Sequence, residues 1–282
     1  MKGAQLRYFL IAVTVLISAV LYFAPSQINK VGEEQETPTE VGSDGLDEES
    51  LLNTAKTSLD SNERTNLDFF EKSLDKADGK DTALLDGIGR LWDRNSVPAA
   101  SAIWFERKAK IAPSELTYLD AAYRYFDAFR MTGDSSLKAL FVTKAIACYQ
   151  KVLELNPKNL NAKTDLGACY ADGTSEPMKG IMLLREVVTE DPNHEMAQYN
   201  LGMLSVKSGQ LDKAIDRFNK VLEINPKRNE VEFFLGQVWL QKGDTASAIV
   251  HYETFIRNAS YDVSDVVALL NELKRNKKSD GA

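Results

Sequence analysis

Apolar residues recur three and four apart in short blocks along the second half of the chain, and a proline closes each block. KAIACYQKVLELNPKN at 144–159 returns as KAIDRFNKVLEINPKR at 213–228, identical at ten of sixteen positions and offset by 69 residues, two steps of 34.5. That spacing is the stripe of an amphipathic helix with one buried face, and a proline cannot continue a helix. Three landmarks keep the period. Leu-Gly pairs stand at 166–167, 201–202 and 235–236, small residues at Ala145, Gly180, Ala214 and Ala248, and prolines at Pro157, Pro192 and Pro226. Every step within a set is 34 or 35 residues.

A step of that length holds two helices of about a dozen residues and a turn. KSGQL (207–211) and QKGDT (241–245) supply glycine turns between the paired helices. Small residues at the helix crossing let the backbones approach, and aromatics one turn on (Tyr149, Phe218, Tyr252) fill the space beside them. A lone hairpin cannot cover its apolar face, so units stack on a shared core. The expected fold is all-α, a helix-hairpin solenoid.

These landmarks resemble the tetratricopeptide repeat family, most strongly over 160–262. The resemblance implies a right-handed superhelix with units at 114–159, 160–194, 195–228 and 229–262. Some positions depart from the family pattern. Lys163, Gln198 and Glu232 replace the aromatic before the Leu, Ser205 and Trp239 stand where Tyr170 keeps the usual tyrosine, and Ser260 replaces the last proline.

Upstream the pattern stretches. Gly133 to Ala145 spans 12 residues where Gly209 to Ala214 spans 5, so a longer second helix starting near Asp134-Ser135 keeps the face in register. Residues 46–113 read as divergent helical hairpins. Pro98 lies near a helix start, and Leu67, Phe69, Phe70 and Leu74 form an apolar stripe. VSDVVALLNELKRNKK reads as a capping helix over 263–276 before a tail at 277–282. Its cations suit a helix C-terminus.

In this family the concave face, lined by the first helix of each hairpin, binds protein segments. The resemblance places Thr164, Asp165, Ala168, Ala171 and Asp172 there from one unit, and Tyr199, Asn200, Met203, Val206 and Lys207 from the next. Phe233, Phe234, Gln237, Leu240 and Gln241 follow from the last, with Phe233 and Phe234 either in the groove or against the capping helix. The family's carboxylate clamp has only Lys207 and Asn200 here, opposed by Asp165 and Asp172. The groove therefore suits an apolar or amphipathic segment of a protein partner. Five aromatics in YLDAAYRYFDAFR (118–130) exceed what one helix face buries, so one or two of them belong to the groove.

The N-terminal pattern differs. YFLIAVTVLISAVLYFA (8–24) is apolar except for Thr14, Ser18 and the tyrosine hydroxyls, and at seventeen residues it sits at the short end of a bilayer span. Arg7 can snorkel, and Tyr8 and Tyr22 sit at interfacial positions. An uncleaved membrane anchor at 1–24 is the reading adopted over a cleaved signal peptide, because Tyr22-Phe23-Ala24-Pro25 is a poor cleavage site. Lys2 and Arg7 precede the run, whereas 32–50 carries eight acids and no base. Positive charge stays inside. The expected topology is single-pass in a bacterial inner membrane, with residues 25–45 an acidic flexible linker and the body periplasmic.

Composition narrows the function. A formal charge of −7 argues against binding nucleic acid by phosphate neutralisation. Two cysteines and two histidines are too few for a disulfide framework or an ordinary zinc site. No phosphate loop, dinucleotide fingerprint, zincin helix or nucleophile elbow occurs, so neither enzyme chemistry nor a cofactor is expected. Cys148 and Cys169 read as buried apolar residues, with a disulfide as the alternative in an oxidising compartment. The expected role is a membrane-anchored scaffold for cell-envelope complex assembly. The alternative is a chaperone-like holder of translocated or apo-cytochrome chains, and self-association stays open.

Overall fold

The computed structural model describes residues 48–279. Every regular element among them is a helix: α1 Glu48–Lys56, α2 Ser61–Lys76, α3 Thr82–Arg94, α4 Pro98–Ile111, α5 Glu115–Met131, α6 Ser135–Leu155, α7 Leu160–Gly173, α8 Pro177–Glu190, α9 Glu195–Lys207, α10 Leu211–Ile224, α11 Glu230–Gln241, α12 Thr245–Asn258 and α13 Ser264–Ser279. From α3 to α12 the helices pair in sequence as hairpins, and each second helix packs on the next first helix. The predicted all-helical repeat solenoid is what the described residues form.

Local chemistry sets the turns. Gly209 (φ +70°) and Gly243 (φ +83°) close the α9–α10 and α11–α12 hairpins in the left-handed region, where a residue without Cβ pays no steric penalty. The α7–α8 turn instead ends at Pro177, the first residue of α8, whose fixed φ suits a helix start. Asp134 caps α6 by accepting from the Ser136 and Leu137 nitrogens at 2.8 and 3.1 Å, which lets that helix run 21 residues.

Two of the sequence landmarks are the two sides of one contact. A Cβ on Gly202 would lie 2.7 Å from the Phe218 ring, and one on Gly236 would lie 2.8 Å from the Tyr252 ring. The glycine opens the space that an aromatic sixteen residues on fills (218 − 202 and 252 − 236). Phe105 meets Gly89 at the same separation. Ser101, twelve residues after Gly89 as Ala214 is after Gly202, donates its hydroxyl to the Gly89 carbonyl at 2.9 Å. The α3–α4 hairpin is thus built like the downstream repeats, not as a divergent pair.

One expected stripe needs correcting. Leu67 and Leu74 are buried and Phe70 partly so, but Phe69 is 68% exposed. Spacings of three and four keep Leu67, Phe70 and Leu74 on one face of α2, and Phe69 falls off it. The apolar run at 8–24 lies outside the described residues. Among those described, no helix is long and apolar enough to cross a membrane.

Candidate functional site: a groove along the first helices

Successive first helices touch one another, α5 with α7 and α7 with α9, which makes them the inner face of the stack. Its two halves differ in chemistry. The half nearer α5 is acidic. Asp165 lies beside Tyr123 and Tyr149, with Asp127 nearby, and burial pushes its carboxyl up to about 6 against the pull of those two hydroxyls. Burial, with Asp165 beside it, raises the Tyr123 phenol as well. Asp172 is ion-paired with Lys207 across the α7–α9 junction. Lys207 is therefore already matched and is not a free cation for a partner's carboxylate.

The half nearer α13 is apolar. Met203 and Val206 of α9, Phe234, Gln237, Leu240 and Gln241 of α11, and Leu269 of α13 line an open hollow of about 440 Å³. Phe234 of that lining is backed by an aromatic triangle: Tyr199 and Phe234 meet edge to face at 6.0 Å, while the buried Phe218 stacks on Phe234 at 5.9 Å. The Arg228 guanidinium covers the Tyr199 ring at 4.4 Å and is fixed by Glu195 at 2.6 Å and Glu230 at 2.7 Å. Such a wall is rigid and largely apolar, so an inserted side chain loses water without the groove having to order itself.

The structure gathers some of the expected groove residues and withdraws others. Met203, Val206, Phe234, Gln237, Leu240 and Gln241 meet at the hollow, and Asp165, Asn200, Ala171 and Asp172 are at least partly exposed. Thr164 is corrected: it is 1% exposed, with its hydroxyl turned back on the Leu160 carbonyl at 2.8 Å. Ala168 is also buried. Phe233 turns away from the groove toward Phe255, Tyr252 and α13, with ring centres 5.4 and 5.8 Å apart. The terminal helix thus takes Phe233 and leaves Phe234 to the groove.

Leu269 lay beyond the sequence reading, and the choice of Tyr123 among the five aromatics of 118–130 came from the structure. Tyr123, 43% exposed, sits one place after the buried Ala121-Ala122 pair, as Met203 sits one place after Leu201-Gly202. That alanine pair was the available signal. Leu269 carries no repeat signature, because α13 is no repeat. Cys148 and Cys169 are both buried free thiols, and burial first, then Glu106, pushes Cys148 up to about 12. Among the described residues no cluster of three or more His, Cys, Asp or Glu side chains is placed to hold a metal.

A stack of helix hairpins presenting an open, rigid, chemically divided inner face is the architecture of a protein-binding repeat scaffold. The chain carries tetratricopeptide repeats: family models described as "Tetratricopeptide repeat" match residues 142–159 and 196–228. It is similar to a tetratricopeptide repeat protein of Parabacteroides merdae (15% identity, 82% of this chain and 87% of that one, TM-score 0.57). It is also similar to PilW, a type IV pilus biogenesis factor (17%, 70% and 87%, TM-score 0.55). At these identities both show the fold alone. The BBSome complex member BBS4 of Bos taurus is 28% identical over 131 residues, 45% of this chain and 23% of that protein. The chain spans less than a quarter of the length of the first curated relatives it matches.

Proposed function

We propose that this protein is a non-enzymatic scaffold that holds an apolar or amphipathic segment of a partner protein along its inner face. The observation that carries the reading is the hollow of Met203, Val206, Phe234 and Leu240, open to solvent beside a half lined by Asp127, Asp165 and Asp172. A segment with apolar residues at one end and a cation at the other matches both halves. The apolar run at 8–24 and the acidic stretch after it support a tether that keeps this body beside a bacterial inner membrane, on its periplasmic side. Membership of an envelope assembly complex is the role this arrangement favours.

Photo-crosslinking in native membranes tests it, with the reactive residue at Gln237 in the hollow and a control at Lys138 on the outer helix α6. One discrete adduct from Gln237 and none from Lys138 is the expected result. A ladder of many adducts from Gln237 would replace the dedicated scaffold with a general holder of unfolded chains. Equal yields at both positions would remove the groove from the account.

A further inference from the structure

A second hollow, of about 610 Å³, opens elsewhere on the same repeats. Met178 and Ile181 of α8 and Leu201 and Leu204 of α9 give it apolar walls. Arg185, Lys213, Arg217 and Lys220 ring it, against one acid, Asp216. Leu201 faces this hollow and Met203 the groove. Two residues apart on a helix of 3.6 per turn, they point about 160° away from each other. The two sites thus occupy opposite sides of α9.

The charge here is unbalanced. Lys220 is paired with Glu223 at 3.1 Å, and Lys213 reaches only the neutral Gln210 oxygen at 2.6 Å. Among the described residues neither Arg185 nor Arg217 forms an ion pair. Arg217 instead donates to the Gln198 side-chain oxygen at 2.6 Å, and Gln198, 4% exposed, donates onward to the Pro192 carbonyl at 2.7 Å. A buried amide therefore braces a guanidinium that has no carboxylate. Partial burial and the nearby charge of Arg185 both push Arg217 below its ordinary value, with Asp216 opposing. With Asp216 the one acid among four cations lining the hollow, the excess positive charge disfavours the unliganded surface. Beside them Met178 and Met182, one turn apart on α8, are 62% and 61% exposed, a pliable apolar flank.

We propose that this hollow docks an acidic amphipathic segment of a partner protein, its carboxylates on Arg185 and Arg217 and its apolar side chains on Met178, Ile181, Leu201 and Leu204. A guanidinium fork takes a carboxylate through two parallel hydrogen bonds, which an ammonium cannot do. The apolar walls favour a chain that carries both characters over a free, fully hydrated anion. Occupied together with the groove, the site would let one chain bridge two partners of opposite polarity.

The test uses the full chain in neutral phosphatidylcholine nanodiscs and two fluorescent synthetic helical peptides with the same leucine pattern. One carries Glu and the other Lys at the polar positions, and anisotropy reads binding. The Glu peptide should bind, and Arg185→Gln combined with Arg217→Gln should weaken it by at least about tenfold, the loss expected for charged hydrogen bonds. Arg185→Gln alone changes an exposed residue that no fold contact depends on, so a partial loss there guards against misfolding of the double variant. Gln237→Glu in the groove should leave this binding unchanged. The proposal is overturned if the Glu peptide fails to bind or binds both proteins equally, or if binding of the Lys peptide, which the acidic groove can take, falls as much in the double variant. Arginine-dependent capture of phosphatidylglycerol vesicles without peptide binding would overturn it too, in favour of a lipid surface.

Discussion

Asn225 donates its side-chain amide to the Glu195 carboxylate at 3.2 Å, reaching from the end of α10 back to the first residue of α9. Arg228 adds a second bond at 2.6 Å. The earlier copy of the motif makes the same clasp, with Asn156 and Asn159 on Glu115 at 3.0 and 2.5 Å. The repeated Asn-Pro-Lys stretch therefore does more than stop a helix. In these two hairpins it ties the exit to a carboxylate at the entry, where the helix dipole also favours negative charge. Glu195→Ala should destabilise the protein by about 1–3 kcal/mol, read from the urea midpoint. Adding Asn225→Ala should cost little more; fully additive losses would show the two residues to be uncoupled.

Gly180 is where repeat averaging misleads. The other units carry Ala145, Ala214 and Ala248 at this place, so Gly180→Ala looks stabilising from sequence. Here α7 and α8 approach so closely that a Cβ would run into the Gly167 carbonyl oxygen and lie 2.7 Å from the Ala171 nitrogen. Both obstacles are backbone. Gly180→Ala should lower stability by about 1–3 kcal/mol despite its better helix propensity. A raised melting temperature would mean that the two helices can separate at no cost.

Asp165 gives the inner face a pH signature. Its folded carboxyl titrates at about 6, above the ordinary value of 3.8, because burial disfavours the charge. The folded state thus binds this proton more tightly than the unfolded chain. Its contribution to stability is greatest below pH 4, falls as pH rises toward 6, and is flat above. Asp86 and Asp93 run the other way, since despite partial burial Lys108 and Arg124 hold them below the usual range. The informative quantity is therefore a difference. Asp165→Asn should match the wild type near pH 4 and exceed it at pH 7 by up to about 3 kcal/mol, followed by urea melts across that range.

What the sequence disclosed followed from periodicity, and what it hid followed from shape. The 34-residue step located helices, turns, and the small residues and aromatics of each crossing, because each depends on residues a fixed distance apart in one hairpin, while the pairing of each glycine with a ring came from the structure. Gly89, Ser101 and Phe105 obey the same distances, and Pro113 follows Ser101 by the same twelve residues as Pro226 follows Ala214, but Ile88 stands where the downstream units carry the leucine. The groove was legible as far as one helix's register reaches, which served Met203 and Gln237. It failed at Thr164 and Ala168, whose exposure depends on how closely neighbouring hairpins sit, and it left Phe233 open between the groove and the capping helix, a choice that depends on where α13 docks. The arginine-ringed hollow left no mark in the sequence, because it exists only between two second helices and the first helix beneath them.

The groove itself makes stability and binding separable. Phe234 lies in the triangle with Tyr199 and Phe218, so Phe234→Ala removes ring contacts on two helices and should cost roughly 2–4 kcal/mol. Any binding loss in that variant is ambiguous. Gln237 stands exposed at the lip of the same hollow. Gln237→Glu should leave the melt within about 0.5 kcal/mol, as exposed substitutions usually do, while placing a charge where an apolar segment would lie. If the partner adduct or its affinity drops in Gln237→Glu with the melt unchanged, the hollow is a binding surface. If affinity follows only the Phe234→Ala melt, the triangle serves the fold and the partner engages another face.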